Sequence, residues 1–195
     1  VAMAMDSGII KSFGQIYNCP DELKAYGHVI HDTHPYGRQC SVAEIMKESS
    51  NIGTAQIAAQ VGAERQKFFL GKMGFLNRIK VELSERGRTL TPGANWGPLE
   101  VMTVGYGHGI AVTPLHLATG YATLFNGGIY RPATILKVDD AHPMNRGRRV
   151  FTEATSYKMR SLLRLVAMKG TGKNADAAGY RVGGKTGTAQ KVIGG

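Results

Sequence analysis

Two short motifs carry the residues best suited to chemistry, Lys-Thr-Gly at 185–187 and Ser-Ser-Asn at 49–51. The first matches K-T-G and the second matches S-x-N, which occur together in serine acyl-transfer enzymes. A lysine beside a serine hydroxyl favours proton transfer. The threonines at 186 and 188 can hydrogen-bond a substrate carboxylate, and the glycine at 187 lets an extended substrate approach the backbone. The two motifs together predict acyl-transfer chemistry.

The same lysine also belongs to a second pattern, because the segment from Gly179 to Thr186 matches the phosphate-binding sequence G-x-x-x-x-G-K-[ST]. Such a loop holds phosphates when it lies between a buried strand and a helix. Here residues 174–178 are not an apolar strand, and the residues after the match favour β structure. A P-loop nucleotide-binding protein is therefore the alternative interpretation.

A polar segment offers a third candidate, a metal site. Imidazole and carboxylate groups can bind zinc, and residues 28–34 include His28, His31, Asp32 and His34. Their spacing matches no common ligand pattern, so we favour a His-rich surface loop and expect no metal. The nearby Cys19 and Cys40 could pair in an exported protein or remain free thiols. The sequence leaves both states open.

Capping residues and periodicity predict several helices that would position these motifs. Ser41 and Glu44 form a capping box at the start of one helix. A second helix follows the Ser-Ser-Asn motif, and Gly62 separates it from a third. A helix also begins at Thr113, and another covers about 153–169. We expect the buried stripe of the Thr113 helix to comprise Leu117, Ala118, Tyr121, Ala122, Leu124 and Phe125.

Strands are predicted in fewer places. Residues 11–40 are rich in turn formers and should form a hairpin or an irregular loop. Residues 129–138 should form a strand with a bend or edge position at Pro132. A strand broken by glycines is expected over 180–193, carrying the Lys-Thr-Gly motif.

The composition excludes two classes of protein. Hydrophobic residues make up 43% of the 195 residues, which excludes a disordered chain. There is no apolar run near the roughly 20 residues that a membrane-spanning helix needs. The chain has a net charge of +10. Its basic residues, however, are expected in loops and helix ends without interleaved aromatic residues. They are better explained as a solvated surface than as a nucleic-acid site.

The motifs resemble those of a known family. Four segments carry the resemblance: S-S-N-I-G-T-A at 49–55, G-Y-G-H-G-I-A-V-T-P-L at 105–115, N-G-G-I-Y-R-P at 126–132 and G-K-T-G-T-A-Q at 184–190. In this order they resemble the transpeptidase domain of class B penicillin-binding proteins, of the division-type FtsI group. The resemblance covers essentially the whole chain, 1–195, as a partial transpeptidase domain.

The resemblance implies an α/β (α+β) fold like that of serine β-lactamases, with helices on an antiparallel sheet and an all-α subdomain. It implies cross-linking of peptidoglycan stem peptides through a serine acyl-enzyme that β-lactams trap, with no cofactor. The residues carried over are catalytic Ser49, Asn51 and Lys185, and substrate-binding Thr186, Gly187 and Thr188. It also implies an inner-membrane anchor, a periplasmic catalytic domain, and division-complex proteins as further partners, without nucleic acid.

The chain departs from the family pattern in one respect. The family's nucleophile lies in S-x-x-K, and no serine in this sequence has a lysine three positions later. In the family that motif precedes an apolar stretch like residues 1–5. We therefore expect the sequence to be truncated at both ends, without its nucleophile, and to form no acyl-enzyme alone.

Overall fold

A computed structural model describes residues 1–93, 95–139, 141–142 and 146–187. In that part of the chain the α-helices are α1 (Ala2–Asp6), α2 (Val42–Glu48), α3 (Asn51–Lys72), α4 (Pro98–Gly105), α5 (Pro114–Phe125) and α6 (Glu153–Lys169), followed by a 3-10 helix (Lys173–Ala175). The strands are β1 (Ile16–Cys19), β2 (Glu22–Ala25), β3 (His28–His31), β4 (Arg38–Ser41), β5 (Ile129–Tyr130) and β6 (Arg148–Arg149). These strands form three two-stranded antiparallel sheets, β1–β4, β2–β3 and β5–β6. The architecture is mostly helical with small antiparallel sheets, as the α/β expectation required.

The helices enclose two main hydrophobic clusters. One lies between α1, α2, the first half of α3 and α6, with Ile45, Leu162 and Val166 almost completely buried. The other lies around the second half of α3, where the rings of Phe69 and Phe151 stack 5.2 Å apart. Within the described residues no helix is both long and apolar enough to span a membrane.

The capping box at the start of α2 is confirmed. The backbone N–H of Glu44 donates to Ser41 Oγ at 3.3 Å, and the Glu44 carboxylate accepts from Ser41 N at 2.8 Å. The bond from the Ser41 backbone, and then that from the Arg38 side chain, lower the pKa of Glu44 to about 2. The first turn of α2 is therefore stabilised by an ionised carboxylate.

The long helix α3 has a break where the sequence predicts one, at Gly62, whose φ of 76° is outside the helical region. The predicted stripe of α5, in contrast, is only half correct. Tyr121, Leu124 and Phe125 pack partly buried against the first hydrophobic cluster, but Leu117, Ala118 and Ala122 are exposed. The residues that α5 buries are His116, Thr119, Gly120 and Thr123, whereas Leu117 is 49% exposed. The reason is tertiary packing, because His116 Nε2 lies 3.1 Å from Asn77 O and Gly120 faces the ring of Phe75.

Two strand predictions also need correction. The predicted strand over 129–138 ends at Tyr130, because β6 pairs with only two residues and Pro132 has no N–H for a ladder. Residues 181–187 form no strand, since Gly184 N donates to Leu163 O of α6 at 3.1 Å instead of to a neighbouring strand. The rest of that predicted strand, 188–193, lies outside the described residues.

The two cysteines form a disulfide, which settles the alternatives that the sequence left open. Cys19 and Cys40 lie on the paired strands β1 and β4 with their Cα atoms 5.9 Å apart. Both side chains are completely buried in the first hydrophobic cluster. The bond fixes β4 immediately before the cap of α2.

Replacing both cysteines (Cys19→Ala with Cys40→Ala) should lower the free energy of unfolding by about 3 kcal/mol, because a closed loop of this size restricts the unfolded chain. The melting temperature should fall by about 6–12 °C, as measured by circular dichroism. Adding a reductant should lower the melting temperature of the parent protein and leave that of the double variant unchanged. A double variant as stable as the parent would contradict the prediction.

Because of the capping box, the free energy of unfolding should depend on pH in the acid range. Since the pKa of Glu44 is lowered to about 2 in the folded state from 4.5, its stabilisation is present above pH 4.5 and is lost as pH falls towards 2. Glu44→Gln should therefore lose less stability than the parent between pH 7 and pH 3, as measured by urea unfolding. Equal losses in the two proteins would exclude this role for Glu44.

Candidate acyl-transfer site

The Ser-Ser-Asn motif forms the tight connection between α2 and α3. Ser49 ends α2 in the left-handed conformation, with φ 63° and ψ 44°. Ser50 N donates to Ile45 O at 3.0 Å, and Ser50 Oγ accepts from Gly53 N at 2.9 Å as the cap of α3. A left-handed backbone is unfavourable for serine by roughly 1–2 kcal/mol. The surrounding contacts therefore hold Ser49 in a conformation that it would not adopt by itself.

Close packing of the two helices requires glycine one turn into α3. A Cβ atom at Gly53 would lie 2.5 Å from Cγ1 of Ile45, which is inside van der Waals contact. Ile45 is completely buried on α2, one turn before Ser49. The glycine at 53 thus lets α3 begin directly against α2.

A buried carboxylate anchors this connection from another part of the chain. Asp32, just after β3, accepts from Ser50 Oγ at 2.6 Å and from Ile52 N at 2.9 Å. Its position at the N-terminus of α3 is favourable for a negative charge. Asn51 Nδ2 donates to His31 O at 2.9 Å, so the end of β3 holds both residues that follow Ser49.

Lys185 reaches the same connection from the far end of the chain. Its Nζ donates to Ser49 Oγ at 2.5 Å and to Thr186 O at 3.0 Å. Partial burial of the ammonium group lowers the pKa of Lys185. A lysine with a lowered pKa exchanges its proton more easily near neutral pH. The predicted proximity of Lys185 and Ser49 is therefore present in the structure.

The loop after α6 supports the Lys-Thr-Gly segment. Thr171 N donates to Lys47 O of α2 at 3.1 Å, and the hydroxyls of Thr171 and Thr186 lie 2.7 Å apart. Gly184 N is bonded to Leu163 O of α6. The segment is thus held by α2 and α6 together, with the Thr186 side chain exposed at the surface.

The other predicted residues are placed as follows. Gly187 is exposed, and among the described residues a Cβ atom there would meet nothing within 4 Å, so that side of its backbone is open to them. Thr188 lies outside the described residues. Sequence reasoning missed Asp32 as an anchor and Thr171 as a support. Asp32 appeared only in the His-rich group, and no local pattern connects it with Ser50.

The two competing interpretations lose their main features. Residues 170–178, which directly precede Gly179, contain no strand; a short 3-10 helix at Lys173–Ala175 lies there instead. Lys185 contacts Ser49, so nothing supports the P-loop. In the His-rich segment, Asp32 is bonded to Ser50 and Ile52, and both cysteines belong to the disulfide. Across the described ranges no three His, Cys, Asp or Glu side chains converge in a way that could hold a metal ion.

Comparison with known sequences identifies the family. Residues 1–194 match the family model of the penicillin binding protein transpeptidase domain. The chain therefore belongs to the transpeptidase family of penicillin-binding proteins. The probable peptidoglycan D,D-transpeptidase FtsI of Caulobacter vibrioides is 37% identical over 194 residues, which cover 98% of this chain and 32% of the relative. The chain spans about a third of the length of the curated relatives it matches.

Solved structures agree with the fold. The transpeptidase domain of Burkholderia pseudomallei penicillin-binding protein 3 superposes with a TM-score of 0.90 at 31% identity, covering 99% of this chain and 58% of that chain. Penicillin-binding protein 3 of Mycobacterium tuberculosis, solved with ampicillin, superposes with a TM-score of 0.86 at 27% identity, covering 98% and 46%. The described helices and sheets are therefore arranged as in penicillin-binding proteins.

Asp32→Ala should destabilise the protein by about 1–3 kcal/mol, because the Ser50 hydroxyl and the Ile52 N–H would lose their buried partner. Urea unfolding followed by circular dichroism measures the change. Asp21→Ala is the matched control, since Asp21 is exposed and precedes the same hairpin. Equal destabilisation by both substitutions would show that Asp32 does not anchor the helix connection.

Proposed function

We propose that this chain supplies the Ser-x-Asn and Lys-Thr-Gly parts of the acyl-transfer site of a peptidoglycan D,D-transpeptidase. Residues 1–195 would all belong to one transpeptidase domain. The observation that carries the proposal is the 2.5 Å contact between Lys185 Nζ and Ser49 Oγ, which joins two motifs 136 residues apart. Relatives named peptidoglycan D,D-transpeptidase, which are similar over 98% of this chain, support it.

The proposed reaction has two acyl-transfer steps. A serine oxygen attacks the carbonyl carbon of the terminal D-Ala–D-Ala bond, an O–C bond forms, the C–N bond breaks, and D-Ala leaves with a proton. An amine of a second stem peptide then attacks the ester and releases the serine. No S-x-x-K occurs in residues 1–195, so the proposal places this serine outside them.

Each residue of the site has a distinct role in this proposal. Ser49 and Lys185 form a proton relay, which the lowered pKa of Lys185 supports. Asn51 hydrogen-bonds the substrate's peptide group, since its Oδ1 and the second N–H of Nδ2 are left over after the bond to His31 O. The hydroxyls at 186 and 188 bind the terminal carboxylate, and open space beside Gly187 admits the extended peptide.

The same site should accept β-lactams as mimics of the dipeptide. Support comes from the similar Mycobacterium tuberculosis protein, which was solved with ampicillin. We also propose that this domain is part of a protein anchored in the inner membrane and lies outside the cytoplasm. Its partners would then include division proteins. The disulfide fits that location, because disulfides persist in oxidising compartments.

Lys185→Ala should slow acylation by fluorescent penicillin by about 100-fold or more in a longer protein that includes its S-x-x-K segment, because the proton relay loses its amine. The rate is measured by in-gel fluorescence over time. Lys173→Ala is the matched control, since Lys173 is an exposed lysine outside the site. It should label at the parental rate.

Residues 1–195 alone should remain unlabelled. Labelling of the isolated chain would place a nucleophile within it and contradict our assignment. Equal labelling rates for Lys185→Ala and Lys173→Ala would contradict the proton relay, while unfolding curves for both variants show whether the comparison concerns folded proteins.

A further inference from the structure

One cavity lies away from the acyl-transfer site. It has a volume of about 380 Å³ and lies between the C-terminal end of α3, residues 77–80 and the β5–β6 sheet. Its lining includes none of the residues placed in the acyl-transfer site. The volume is within the range of cavities that bind small organic ligands. The cavity is therefore large enough for a ligand of its own.

The lining of the cavity is strongly cationic. Arg78, Lys80 and Arg148 contribute three positive charges, and none of the described lining residues is an aspartate or glutamate. In the part of the chain that the structure describes, none of these three side chains has a carboxylate within ion-pairing distance. Three cations around one cavity repel one another unless an anion is present. The described lining thus carries positive charge without a negative side chain, and an anionic ligand can supply the balancing charge.

The backbone places two of the cations side by side. Ile79 is buried and its N–H donates to Gly87 O at 3.3 Å, which fixes this short segment. Arg78 and Lys80 flank it and are both exposed, whereas Ile79 between them is buried. Both side chains are exposed and line the cavity.

The third cation is held in place by the fold. Arg148 Nε donates to Lys72 O at 2.7 Å, and Nη2 lies 3.4 Å from Gly71 O, at the C-terminus of α3. The guanidinium group also lies 4.8 Å from the centroid of the Tyr130 ring. The neighbouring Arg149 donates to Gly127 O and Phe151 O and does not line the cavity. An arginine fixed before binding loses less conformational entropy when it binds an anion.

We propose that this cavity binds a phosphate monoester. A phosphate monoester carries a charge of about −1.5 to −2 at neutral pH and several acceptor oxygens, which balances three cations better than a single carboxylate. The remaining volume accommodates a small organic group against Tyr130, Ile79 and Pro132. The phosphate can belong to a soluble ester or to a lipid headgroup, and both present the same chemistry.

The test compares two probes on the parent protein and two double variants. The soluble probe is glycerol 3-phosphate, titrated by calorimetry at low ionic strength. The lipid probe is a phosphatidylcholine vesicle with and without phosphatidic acid, followed by cosedimentation. Arg78→Gln with Lys80→Gln removes two cavity cations. Arg160→Gln with Lys11→Gln is the matched control, because both residues are exposed and lie outside the cavity lining.

The Arg78/Lys80 variant should bind about tenfold or more weakly than the parent, because charge-assisted hydrogen bonds are lost, while the control should bind like the parent. If the cavity variant alone is weakened with glycerol 3-phosphate, the ligand is a soluble ester. If that weakening is seen only with phosphatidic acid vesicles, the ligand is a lipid headgroup. Either result supports the cavity site. Absence of binding to both probes, or equal weakening in both double variants, would overturn it. Since the two sites share no residue, neither result bears on acyl transfer.

Discussion

The connection between α2 and α3 is the constraint on which the site depends. Two helices meet there with no intervening loop, so Ser49 takes a left-handed backbone and Ser50 must cap the next helix at once. Neither requirement is met by local sequence alone. Asp32 accepts from the Ile52 N–H at the start of α3, and Gly53 lacks the Cβ that would clash with Ile45. With this connection fixed, the Ser49 hydroxyl has a defined direction towards Lys185.

Several parts of the chain converge on that connection. The hairpin β2–β3 delivers Asp32, and the loop after α6 delivers Thr171 and, through it, Thr186. The site is thus assembled from segments far apart in sequence, which are joined by short polar side chains and main-chain hydrogen bonds. This arrangement keeps the lysine close to the serine, and among the described residues no carboxylate forms an ion pair with Lys185. Partial burial then lowers the pKa of Lys185.

The sequence predicted what depends on neighbours along the chain. The cap formed by Ser41 and Glu44, the break at Gly62 and the start of α5 all follow from local chemistry and were confirmed. The pairing of Lys185 with Ser49 followed from two motifs with a shared chemistry. Half of the predicted stripe of α5 and the strand beyond Tyr130 were wrong, because burial and pairing depend on the tertiary partners of those segments. Asp32 could not be assigned for the same reason.

The disulfide between Cys19 and Cys40 encloses the β2–β3 hairpin and therefore divides its residues into two groups. The base of the hairpin, with Asp32, is fixed between a covalent bond and the N-terminus of α3. Its tip, with Tyr26 and Gly27 at positive φ, is exposed and outside those restraints. Insertions or deletions at the tip should consequently leave the distance between Asp32 and Ser50 unchanged.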